Sequence, residues 1–152
     1  MGPRVTASPI ATETSNELPR WQRRTVVGAG VCLLASGLVW LPVHHLWGAG
    51  ASGLPHPLEA WLMRWHGLAA VAGFFAGGLV ASGHVARGWR LRWRRPTGLS
   101  LCILGSLLAQ SGYALWYLVP EGWRGAAGWA HAAAGSVAFA VGVLHAWGRA
   151  RR

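Results

Sequence analysis

Lysine is absent from this 152-residue chain, and only four acidic residues stand against fourteen arginines. The scarcity of charge is local as well as global. Residues 25–41, 65–86, 97–119 and 125–148 contain no Asp, Glu, Lys or Arg at all. Each stretch is roughly long enough to cross about 30 Å of hydrocarbon at about 1.5 Å per residue. With 53% hydrophobic and 12% charged residues, the composition excludes an ordinary soluble domain. Cysteine is nearly missing too. Cys32 and Cys102 both fall inside apolar stretches and read as small buried side chains. The expected fold is therefore all-α: a polytopic four-transmembrane-helix bundle with little room for a soluble domain.

What charge there is sits between the stretches. Arg4, Arg20, Arg23 and Arg24 precede the first span, Arg87, Arg90, Arg92, Arg94 and Arg95 join the second to the third, and Arg149, Arg151 and Arg152 follow the fourth. Arg64 and Arg124 alone lie on the opposite side. By the positive-inside rule this predicts both termini in the cytoplasm, with Glu59 and Glu121 beside the external ends. A net charge of +10 would otherwise suggest nucleic acid, but these arginines are short juxtamembrane flanks without a recognition motif. The eleven tryptophans gather mostly where spans should meet headgroups, as an aromatic belt does.

Residues 1–19, rich in Ser, Thr and Pro, read as a disordered cytoplasmic tail, and 20–152 as the transmembrane domain with spans near 25–41, 61–86, 97–119 and 125–148. Arg23-Arg24 ahead of an apolar run imitates a twin-arginine signal, but the run is too long for an h-region and its leader too long for an n-region. Pro42 is expected to end the first helix, with a Gly- and Pro-rich external loop from Val43 to Pro57. Short connections predict an up-down-up-down order. A weak internal repeat relates the two halves: Leu33 to Gly37 echoes Leu107 to Gly112, and Glu59, Trp61, Trp65 and His66 echo Glu121, Trp123, Trp129 and His131. Spans two and four are then counterparts running in the same direction.

Those two spans hold four of the seven histidines. His66 and His84 are eighteen residues apart, His131 and His145 fourteen. At about 100° per residue, eighteen steps return to the same helix face and fourteen miss it by about 40°. Each helix thus presents two imidazoles on one side, His66 level with His131 near the external ends and His84 level with His145 near the cytoplasmic ends. Neutral imidazole is a ligand of haem iron and other metals, and an ionisable group inside a bilayer points to function. Between the histidines, Ala70, Gly73 and Gly77 on one helix, and Gly135, Ala138 and Gly142 on the other, form a small-residue stripe. Such a stripe admits a flat porphyrin, and it also packs transmembrane helices directly. The spacings disagree by about one turn, since eighteen residues rise about 27 Å and fourteen about 21 Å.

His44, His45 and His56 fall outside the spans and read as solvated loop residues, with His44 or His45 as a substitute ligand at the external level. Arg64 and Arg87 are placed to meet haem propionates, or to snorkel at the boundary. No C-x-x-C-H motif provides for covalent haem attachment.

The spacing His131-x13-His145, with Trp65-His66-Gly67, the run Ser111 to Tyr117 and His145-Ala146-Trp147-Gly148, resembles the bacterial membrane b-type cytochromes. These include small four-helix cytochrome b proteins and the cytochrome b subunits of formate dehydrogenase and hydrogenase. The resemblance covers about residues 25–149. It implies an inner-membrane electron-transfer subunit, rather than a stand-alone enzyme, with two b haems held by His66, His84, His131 and His145. Its partners would be lipid, quinone or a redox protein, in a homo- or hetero-oligomer. Two departures stand out: His66 and His84 are wider apart than usual, and the first span lacks the histidine that some relatives carry there. The alternatives are a haem-free membrane accessory or assembly subunit, and a histidine-lined metal or proton pathway that the lack of intramembrane Asp and Glu weakens.

Overall fold

The computed structural model describes residues 18–47, 56–90 and 95–147, so of the expected N-terminal tail only Leu18 and Pro19 are included. The described chain is helical. Four helices, α1 (Arg20–Trp47), α2 (Pro57–Arg90), α3 (Arg95–Tyr117) and α4 (Glu121–Trp147), are each long and apolar enough to cross a membrane. In hydrocarbon every backbone group must be satisfied within its own segment, which favours unbroken helices over loops. Hydroxyls inside the helices obey the same requirement. Thr25, Ser100, Ser106 and Ser136 each donate to the carbonyl four residues back.

The first helix does not stop at Pro42. It runs one turn further, to Trp47, with the proline inside it. Contacts beyond the proline hold that last turn: Val43 is 2% exposed, His44 bonds Glu59 of α2, and His45 stacks on Trp129 of α4. A transmembrane helix tolerates proline where neighbours support the backbone it disturbs. Part of the expected external loop, Val43 to Trp47, is therefore helix. Residues 48–55 lie outside the described chain.

α2 starts on a capping box. His56 accepts the Leu58 N–H through Nδ1, Glu59 returns a bond to the His56 N–H, and Pro57 fills the first helical position, where its missing N–H costs nothing. Towards its other end, Ala81–Val85 widens into a π-helical turn, and the Ala86 N–H reaches back five residues to the Ala81 carbonyl. Ser82 there donates to the Leu79 carbonyl, and Gly83 adds no side chain to stiffen the turn. Arg95 closes the corner into α3 by donating to the Trp89 carbonyl at 2.6 and 3.2 Å while stacking on its indole.

The four helices associate as two pairs, α1 with α2 and α3 with α4. Ala29, Ser36 and Val43 recur every seventh residue as the buried line of α1, and Ala69 and Ala76 are buried at the same interval on α2. Small residues let these two backbones approach closely, the usual basis of helix association in lipid. Among the described residues, the two pairs approach each other chiefly through α1 and α4. Large apolar side chains such as Phe74, Phe75, Trp116, Val137 and Leu144 face outward, as lipid-facing residues of spanning helices do.

Candidate functional site

Two pairs of imidazoles reach across the opening between α2 and α4. The His66 and His131 ring centroids are 6.2 Å apart with their planes at 62°, and those of His84 and His145 are 6.1 Å apart at 82°. The near-equality of the two separations is notable because the sequence spacings differ by four residues. The π turn lies between His66 and the end of α2 and includes His84 itself. Such a turn packs in more residues for its length than an α-turn, so it absorbs part of the excess on α2.

Each of three histidines is seated by a hydroxyl on the other helix of its own pair. His66 Nδ1 lies 2.9 Å from Ser36 Oγ, His131 Nδ1 2.7 Å from Ser111 Oγ, and His145 Nδ1 2.8 Å from Thr97 Oγ1. The residue after each hydroxyl is glycine, and there the ring comes closest. A Cβ on Gly37, Gly112 or Gly98 would meet the imidazole Cε1 at 3.5, 3.6 and 3.7 Å. Each serine oxygen also lies within hydrogen-bond distance of carbonyls of its own helix, Ser36 of Cys32 at 2.6 Å and Leu33 at 3.2 Å, and Ser111 of Leu108 at 3.2 Å. A serine that donates to such a carbonyl accepts from the imidazole, which then carries its proton on Nδ1 and presents the Nε2 lone pair, the state in which histidine binds a metal.

The separations suit a shared metal. With a metal–imidazole bond of about 2 Å and about 1.1 Å from ring nitrogen to ring centre, two imidazoles on opposite sides of one ion stand about 6.3 Å apart. Among the described residues, no three His, Cys, Asp or Glu converge into a metal-holding group. Each level brings together two imidazoles.

The glycine stripe divides. A Cβ at Gly73 would touch Ala29 and Leu33 of α1, one at Gly135 would touch Leu108, and one at Gly142 would touch Leu101 of α3, all at 3.8–3.9 Å. These three glycines abut the partner within their own pair. Gly77 meets nothing within 4 Å. Arg64 lies over the Trp61 indole, 5.0 Å from its centre, and Arg87 is exposed on the short stretch after the π turn.

The remaining histidines are engaged elsewhere. His44 bonds the buried Glu59 at 2.8 Å and stacks on Trp40, His45 stacks on Trp129, and His56 caps α2. Sequence reasoning missed Ser36, Thr97 and Ser111. Their signal was present: Thr97-Gly98 and Ser111-Gly112 are fourteen residues apart on α3, the same interval as His131 and His145 on α4. No family model, curated protein or solved structure matches the chain.

Proposed function

We propose that this chain is a di-haem b-type cytochrome of the bacterial inner membrane, carrying electrons between a quinone pool and a redox partner. One observation carries the reading: two histidine pairs span the opening between helix pairs, each at the separation two imidazoles adopt around one iron. His66 and His131 would hold the outer haem, and His84 and His145 the inner one. Bound haem would supply a one-electron iron couple, with no coordination position left open between two imidazoles, which suits electron transfer over oxygen activation. The chain's own work is to fix the four rings, to keep their Nε2 atoms unprotonated at the outer level, and to enclose them in an apolar surround. Arg64 and Arg87 sit near opposite ends of α2, where propionates would emerge.

The arginine distribution supports an up-down-up-down bundle with both termini in the cytoplasm. The register agrees with reversal inside each pair. Gly37 lies by His66 while Ala29 lies by Gly73, and Ser111 meets His131 while Thr97 meets His145.

The competing reading, a haem-free accessory or assembly subunit, draws on Gly73, Gly135 and Gly142, which pack directly against their neighbours. A reduced-minus-oxidised optical spectrum of the purified protein separates the two. The cytochrome predicts b-type bands and two extractable haems per chain. A folded protein made with ample haem and showing no such bands would belong to the second reading.

A further inference from the structure

Three of the four paired histidines share an arrangement that simple helix packing does not require: a hydroxyl residue followed by glycine, on the neighbouring helix, against the Nδ1–Cε1 edge of the ring. The dipeptides are Ser36-Gly37, Thr97-Gly98 and Ser111-Gly112. Glycine lets the ring lie close to the backbone, and the hydroxyl then falls within 2.7–2.9 Å of Nδ1. Resting on the cytochrome reading, we infer that Ser36 and Ser111 are positioning residues of the outer centre. They fix the tautomer of His66 and His131 and set that centre's reduction potential.

The direction of the effect follows from the hydrogen-bond chain. Where Ser36 donates its O–H to the Cys32 carbonyl and Ser111 its own to that of Leu108, each oxygen is polarised as an acceptor for Nδ1–H. An imidazole that donates from Nδ1 is more basic at Nε2 and favours the more highly charged, oxidised iron. A hydroxyl does this more gently than a carboxylate, and it adds no charge to the membrane interior. Both ligands of the outer centre carry this bond to serine. Removing either serine oxygen weakens the donation from its ring and favours the reduced iron.

The test uses the full chain purified from membranes. Ser36→Ala and Ser111→Ala should each raise the midpoint potential of the outer centre, leave the inner one unmoved, and weaken haem retention by about ten- to a hundredfold. Ser111→Thr, which keeps the hydroxyl, should restore both properties. Nitrogen-15 NMR of histidine-labelled protein made in a haem-deficient host supplies a readout independent of haem. There His66 and His131 should carry the proton on Nδ1 in the wild type, and the alanine variants should lose that fixed state. Alanine variants with wild-type potential and unchanged tautomer would overturn the inference, as would Nε2–H in the wild type. A wild type that binds no haem but shows the Nδ1–H state would sink the cytochrome reading while preserving the tautomer assignment. It would also remove the claim about potential.

Discussion

At His131 three contacts leave the ring little freedom. Ser111 holds Nδ1 at 2.7 Å, Gly112 lets Cε1 approach the backbone of α3, and His66 faces it from α2. A methyl group on Gly112 would make ordinary contact with the ring, at 3.6 Å, so Gly112→Ala should change haem content little. Gly112→Val places branched carbons where the ring now lies. It should displace His131 and, under the cytochrome reading, cost most of the haem held with His66, while circular dichroism shows the helices retained. The histidines themselves give the clearest assignment. His66→Ala and His131→Ala should remove the same redox centre, and His84→Ala and His145→Ala the other, with potentiometric titration telling the two centres apart. Loss of one centre in His66→Ala and a different one in His131→Ala would refute the shared-iron pairing. The juxtaposition of these rings was legible in the sequence, because an eighteen- or fourteen-residue interval on a helix almost fixes the face. The serines were easily passed over, since a hydroxyl within a span reads first as a partner for its own backbone, and only the fourteen-residue recurrence of Thr97-Gly98 and Ser111-Gly112 marks them.

At the scale of the helix, the stripe that sequence alone leaves between two meanings becomes separable position by position. Gly135 is in contact range of Leu108, so Gly135→Leu should force α3 and α4 apart, lowering the melting temperature and both haem contents together. Gly77 adjoins open space, and Gly77→Leu should leave the bundle intact. If Gly77→Leu keeps its melting temperature but loses haem, that position borders the cofactor; if it keeps both, the residue faces lipid. Glu59 is an element-level device as well. The residue is 7% exposed, and its carboxylate closes the capping box of α2 and binds His44 on the turn of α1 beyond Pro42. Glu59→Ala should lower stability by about 0.5–2 kcal/mol, the loss of a helix cap whose partners His44 and His56 are exposed, in a denaturant titration in detergent. The four spans were visible from charge-free length, whereas the helix through Pro42 was not. A proline is an interruption by its chemistry, and only tertiary partners such as Val43, His44 and His45 reverse that. The π turn escaped for the same reason. Ser82-Gly83 permits a wide turn without requiring one, and the turn carries His84 to within 6.1 Å of His145 on another helix.

Taken whole, the molecule is two well-packed helix pairs that meet along a narrow line. α1 joins α2 and α3 joins α4 through small residues, but among the described residues the pairs approach each other chiefly through α1 and α4. In lipid no hydrophobic effect drives apolar helices together, so this sparse contact gives the pairs little reason to stay in register. The two histidine bridges lie where direct packing is thinnest, and under the cytochrome reading the cofactors would serve as the cross-links. Cohesion between the pairs should then depend on haem far more than the pairs themselves do. Fluorophores placed at Leu99 on α3 and Phe75 on α2, both exposed, would report the separation of the pairs. In a haem-deficient host, or in a chain with all four ligands changed to alanine, energy transfer between them should fall and broaden while helix content stays constant. Unchanged transfer in the haem-free protein would mean that the α1–α4 contact alone aligns the bundle. Orientation can be read with the same chain: reporter fusions after Arg95 and Arg152 should both sit in the cytoplasm, and one near Gly53 in the periplasm. A periplasmic C-terminus would invert the levels, putting His84 and His145 at the outer face and giving the inner centre the two serine-seated rings.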